Sequence, residues 1–207
     1  GDKPRMIVLN RMDLADPAAT KKWAEYFRRK GMAVIATDCK SKKGISAFTP
    51  AARLACAEKL ERDAKRGMNR PLRVMVVGIP NVGKSTLINQ ISGRKSAKAE
   101  NRPGVTRGKQ WVNVDAGLDL LDTPGILWPK FEDETIGLHL AFTGAVRDAI
   151  MDVETLGCHL MAYLGDHYPD ALSAAYKLPG IPVREPEEND VAWGYRLLAA
   201  AGRKRGF

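Results

Sequence analysis

The chain has 207 residues, 44% hydrophobic and 28% charged, which suits a packed α/β domain plus a small second one and excludes global disorder. Lysine and arginine outnumber aspartate and glutamate by 33 to 24, a net charge of +9, so a polyanionic partner and a solvated basic surface both fit. No stretch approaches the roughly 18 apolar residues of a membrane span, and no membrane partner is expected. Cys39, Cys56 and Cys158 lie far apart without a C-x-x-C pair. They read as reduced thiols of a cytoplasmic protein, neither a disulfide framework nor a zinc site. His139, His159 and His167 lack metal-ligand spacing and read as structural.

In chain order, Met6–Leu9 is a short strand ending in Asn10-Arg11-Met12-Asp13. Asp16-Pro17 caps a helix that runs to about Lys30, with Trp23, Tyr26 and Phe27 on one face. Gly31 stops it, Ala33–Ala36 forms the next strand, and Asp38 to Gly44 is a polar loop. A long helix is expected from about 46 to 66, broken by Gly67 to Pro71. The apolar run Leu72–Val77 is then a strand, and Leu87–Ile91 belongs to the helix that follows it. Residues 93–108 read as a loop, and residues 111–115 and 118–121 as an antiparallel hairpin around Gly117. From Thr135 onward the periodicity is helical, with amphipathic helices at 152–177 and 188–203 about a proline-rich stretch.

Between the strand at 72 and the helix at 87 stands Gly78-Ile79-Pro80-Asn81-Val82-Gly83-Lys84-Ser85-Thr86, a full G-x-x-x-x-G-K-[ST] match. Gly78 and Gly83 let backbone N–H groups wrap a phosphate at a helix N-terminus. Lys84 reaches the terminal phosphates and Ser85 offers its hydroxyl to Mg2+. Asp122-Thr123-Pro124-Gly125 closes the hairpin. There Asp122 can hold Mg2+ through water and the Gly125 N–H can meet a γ-phosphate. Thr106 is placed to give Mg2+ a second hydroxyl ligand. Asn10-Arg11-Met12-Asp13 resembles the guanine-reading N-K-x-D element, with Arg11 where a lysine usually stands. Asp13 would accept from the guanine N1 and N2 donors, which selects GTP over ATP. Asp38 and Cys39 fall where a loop would back the base. GTP or GDP is the expected ligand, Mg2+ the expected cofactor, and Lys84, Thr106 and Gly125 the expected catalytic groups.

These elements run guanine element, base-backing loop, phosphate loop, switch threonine, D-T-P-G, whereas Ras-type GTPases start at the phosphate loop. The order is a circular permutation, which leaves a sheet intact when the original termini lie close. With R-P-G-V-T at 102–106, Q-W-V at 110–112, L-D-T-P-G-I-L-W-P-K at 121–130 and His167-Tyr168-Pro169, the chain resembles the ribosome biogenesis GTPase A family over nearly its whole length. The resemblance implies a permuted Ras-like P-loop GTPase domain, residues 1–147, with helices on both faces of the sheet. A small all-helical domain for RNA or ribosome binding follows, residues 148–207. It implies GTP-dependent late maturation of the large ribosomal subunit, with rRNA and ribosomal proteins as partners and no DNA. A GTP-gated RNA-binding module whose hydrolysis only times release is the alternative. Five strands are read where a Ras-type sheet has six, so a central strand is expected from residues before Gly1, together with the family's histidine implicated in hydrolysis. Asn81 resembles the asparagine of potassium-stimulated GTPases, which makes K+ an expected cofactor. Ile126 replaces the water-orienting glutamine of Ras-type enzymes, so slow unaided turnover is expected.

Overall fold

The computed structural model describes residues 3–93, 110–115, 117–127, 133–146 and 152–206. Thr106, Arg102, Arg107, Lys109, Trp128 to Lys130 and the expected domain junction at 147–148 lie outside them. The chain divides into two compact units, Gly1–Leu127 and Trp128–Phe207.

In the first unit β1 (Met6–Leu9) pairs in parallel with β2 (Ala33–Ala36), joined by helix α1 (Pro17–Arg29). Asp16 starts α1 as read from the sequence: its carboxylate accepts from the Ala19 N–H at 2.6 Å, and Pro17 takes the first helical position. The only residue α1 buries is Ala24. Trp23 and Tyr26, on the expected aromatic face, are exposed.

The expected helix over 46–66 is three pieces: a 3-10 turn at Ile45–Ala47, α2 (Phe48–Ala55) and α3 (Ala57–Lys65). Cys56 breaks the run at φ −110° and ψ 16°. The break lets α2 turn Phe48 and Ala52 into the core, while α3, dense in Glu, Lys, Arg and Asp, buries nothing.

Strand β3 (Leu72–Val76) leads into α4 (Lys84–Ser92). Strands β4 (Gln110–Asp115) and β5 (Leu118–Asp122) make the expected antiparallel hairpin, and β5 also pairs with β3 in parallel. The described strands thus form two sheets, β1-β2 and β3-β5-β4. One core joins them: Ile35, Phe48, Ala52, Leu72, Leu87, Ile88, Val112, Leu118 and Leu120 pack as a single cluster. The period of two along β5 buries Leu118, Leu120 and Asp122 on one side. A carboxylate therefore ends the strand at an inward position, where it needs a partner.

The second unit is helical among its described residues: α5 (Glu134–Phe142), α6 (Val153–His167), α7 (Pro169–Tyr176) and α8 (Asp190–Arg205). Asp133, Asp152 and Asn189 cap α5, α6 and α8 with side-chain oxygens. The expected helix over 152–177 divides at Tyr168-Pro169. Proline disfavours helical backbone at the residue before it, and Tyr168 sits at φ −140° and ψ 50° before α7 starts on Pro169. Met161, Ala162, Leu172, Trp193, Leu197 and Ala201 form the core. The stretch before α8 is tied down by Arg184, which donates to Asp166, Asp190 and the Glu188 carbonyl and lies over the Trp193 ring. No described helix is long and apolar enough to cross a membrane.

Candidate functional site: a nucleotide cradle

The phosphate loop leaves β3 and ends at Gly83, the N-cap of α4, in left-handed backbone at φ +93°. A Cβ there would stand 2.5 Å from Asn10 Nδ2, so only glycine serves both the turn and the close approach. Asn81 also lies at positive φ, 54°, a conformation asparagine tolerates. Lys84 bends back over the loop and donates to the Gly78 carbonyl at 3.1 Å and the Ile79 carbonyl at 2.8 Å. Burial pushes the Lys84 ammonium below the ordinary lysine pKa, and nearby Asp122 opposes part of that shift.

Asp122 is buried at the end of β5, and its Oδ2 accepts from the Ser85 hydroxyl at 2.8 Å. Its Oδ1 is buried with no hydrogen-bond partner among the described residues. A hydroxyl, a buried carboxylate and an unspent carboxylate oxygen beside a phosphate loop suit Mg2+, a hard cation that prefers oxygen ligands and retained waters. The D-T-P-G turn is fixed against the loop. Thr123 donates its hydroxyl to the Val76 carbonyl at 2.7 Å, and the Ile126 N–H donates to the Gly78 carbonyl at 3.3 Å. A Cβ on Gly125 would meet the Pro80 backbone at 2.5 Å, so this glycine is required by close approach. Ile126 itself projects outward, 73% exposed.

The guanine-like element reaches the same place from the other sheet. Asn10 Nδ2 donates to the Val82 carbonyl at 2.9 Å, across 72 residues of chain. Asn10 Oδ1 accepts from the Thr37 hydroxyl at 3.0 Å and from the Cys39 thiol at 3.3 Å. Arg11 takes left-handed backbone at φ 57°, the Met12 N–H donates to the Thr37 carbonyl, and Asp13 emerges exposed. Asp38 is turned onto its own loop, accepting from the Lys40 and Ser41 N–H groups and the Ser41 hydroxyl, which hold its carboxyl below the usual range. Cys39 is buried behind Asn10, and burial together with Asp38 pushes its thiol pKa up. Thr86 faces outward from the first turn of α4.

The structure thus brings together Asn10, Val82, Gly83, Lys84, Ser85, Asp122 and Gly125 among the residues singled out from sequence. Thr37 was not among them. It is wholly buried, and its hydroxyl and carbonyl hold Asn10 and Met12. Its place directly after an apolar strand is a signal shared by many loop residues and does not reveal the partner, Asn10.

A family model described as a 50S ribosome-binding GTPase matches residues 73–166. The ribosome biogenesis GTPase A of Priestia megaterium is 42% identical over 207 residues, covering 99% of this chain and 69% of that protein. The chain belongs to the ribosome biogenesis GTPase A family. The member from Bacillus licheniformis is 41% identical over 99% of this chain and 70% of its own. Mitochondrial ribosome-associated GTPase 1 of Mus musculus is 35% identical over 81% of this chain and 53% of its own. Among solved structures, GNP-bound YlqF from T. maritima covers 97% of this chain and 78% of its own at 26% identity, with a TM-score of 0.50. The protein is a P-loop GTPase that hydrolyses GTP. In its permuted order Asn10 precedes the phosphate loop and meets Val82 of that loop, 72 residues later.

Proposed function

We propose that this GTPase is an assembly factor for late maturation of the large ribosomal subunit, binding rRNA and ribosomal proteins of the precursor in its GTP state. The observation that carries the nucleotide part is the Asn10–Val82 hydrogen bond, which couples the base-reading element to the phosphate loop. In this reading Asp13 accepts from guanine N1 and N2, the Arg11 stem lies along the purine face, and Asp38 and Cys39 support the base from behind. The N–H groups from Asn81 to Thr86 cradle the phosphates, and Lys84 stabilises charge on the transferring group. Ser85, Thr106 and, through water, Asp122 would hold Mg2+, whose charge offsets that of the β- and γ-phosphates. The Gly125 N–H senses the γ-phosphate. The description of the matching family model supports a large-subunit partner.

An exposed isoleucine at 126 cannot orient a water for attack, so turnover is slow alone. The large subunit and K+, held near Asn81, raise it. The same residue gives the timing-device reading its support, since such a module needs slow hydrolysis. Sedimentation with precursor and mature large subunits, in a non-hydrolysable GTP analogue and in GDP, tests the reading. Co-migration in the analogue and release in GDP are expected, and equal migration in both states would overturn it. Stimulation of turnover by particles, greater in KCl than in NaCl, separates the assembly enzyme from the timing module.

A further inference from the structure

We propose that the outward face of α1 is a stacking surface for unpaired RNA bases, with neighbouring lysines and arginines on the phosphates. Trp23 is 56% exposed and Tyr26 39% exposed, whereas Ala24 is the residue that α1 buries. They touch each other at 5.6 Å between ring centroids, and each touches Phe27, at 5.9 and 5.2 Å. Three rings held against one another on a capped helix make a preorganised platform rather than scattered surface hydrophobes. Every base offers a π-face to such a platform, whatever the sequence.

Charge selects the partner. Residues 17–30 carry five cations, Lys21, Lys22, Arg28, Arg29 and Lys30, against Glu25 alone. Lys30 Nζ lies over the Tyr26 ring, 4.9 Å from its centroid, so the platform already holds a cation that an incoming phosphate can draw off the ring. The first unit holds 25 Lys and Arg against 12 Asp and Glu, while the second holds 8 against 12. The charge that attracts a polyanion therefore belongs to the GTPase unit. Aromatic rings among cations are the signature of single-stranded nucleic-acid binding, and duplex RNA hides its base faces. RNA as the polyanion rests on the ribosomal reading above; the location on α1 rests on the rings and charges.

The test uses the full chain and a fluorescently labelled, unstructured 12-nucleotide RNA, with a duplex of equal length as control. Trp23→Ala with Tyr26→Ala is expected to weaken single-strand binding about tenfold or more while leaving the salt slope unchanged. Lys22→Gln with Arg29→Gln is expected to reduce that slope by about 1.4, for two phosphates no longer neutralised. Both pairs leave in place Ala24, the residue that α1 buries, and unchanged binding of fluorescent GTP verifies the fold. Trp23→Phe keeps a ring and should hold affinity within about threefold, which a merely structural role for the indole would not ensure. Wild-type affinity in the Trp23/Tyr26 variant overturns the proposal. So does a wild-type dimer that the same variant dissociates without change in RNA binding, since the face would then join two copies. If α1 alone is misassigned, the wild type still sediments with ribosomal particles; if the ribosomal reading fails, the wild type sediments with none.

Discussion

Asn10 and Asp13, three residues apart, divide the labour of one element. Asn10 spends its amide inside the protein, on Val82, Thr37 and Cys39, while Asp13 stands exposed at the end of the same turn. Asp13→Asn is expected to shift preference from GTP to xanthosine triphosphate, because an amide donates where guanine also donates. Competition binding with both nucleotides checks this, and retained GTP preference would remove Asp13 from the role. Lys84 shows the opposite balance. Its pKa is lowered by burial, so the unfolded chain holds that proton more firmly and the charged ammonium costs stability at neutral pH. The cost fades as pH rises into the lysine range, and phosphate binding offsets it. Lys84→Met should therefore melt no lower than wild type without nucleotide, yet gain nothing when GTP is added. Thermal scans with and without GTP read both effects. The phosphate loop and D-T-P-G were legible because phosphate chemistry fixes residue type and spacing together. Thr37 was not, since its partner Asn10 is 27 residues away and nothing local marks the pairing.

Elements were legible where a local cap or breaker sets them, as with Asp16-Pro17 and the Gly117 hairpin, and less so where packing decides. The break at Cys56 follows from α2 needing the core and α3 needing solvent, a difference that helical periodicity over 46–66 does not resolve. The aromatic stripe of α1 likewise told which side chains share a face but not what covers that face. Close helix packing in the second unit is another fact of tertiary structure. A Cβ on Gly194 of α8 would lie 1.8 Å from the Cys158 carbonyl oxygen on α6, and a Cβ on Gly165 would meet Trp193 at 2.6 Å. The obstacle at Gly194 is backbone, so it cannot rotate away. Gly194→Ala is expected to cost about 3 kcal/mol as the two helices separate. On a unit of this size that lowers its melting point by about 10 °C or more. GTP affinity, which resides in the other unit, should stay unchanged, and calorimetry of melting and of GTP binding reads the two separately.

Across the whole molecule, the charge is divided as unevenly as the chemistry. The basic excess lies on the nucleotide-binding unit, and the helical unit is acidic apart from Arg203, Lys204 and Arg205 at the end of α8. Arg205 is already engaged over the Tyr176 ring at 4.9 Å, which leaves Arg203 and Lys204 as the freer cations of that end. Arg102, Arg107 and Lys109 flank Thr106 in sequence, close to the group expected to follow the γ-phosphate. These two cation groups should then contribute differently to ribosome binding. In the proposed GTP-state binding, cations beside Thr106 would engage the ribosome in one nucleotide state only, and those at the end of α8 in both. Charge reversal at Arg203 and Lys204 is expected to weaken binding to large-subunit particles by a similar factor with a GTP analogue and with GDP. On that proposal, reversal at Arg102, Arg107 and Lys109 is expected to collapse the difference between the two states. Both variants should show a shallower dependence of log affinity on log salt, by roughly 0.7–0.9 for each phosphate no longer neutralised. Sedimentation across a salt series in each nucleotide state measures all of this at once. A full nucleotide difference surviving reversal at 102, 107 and 109 would place the state-dependent interaction on other residues.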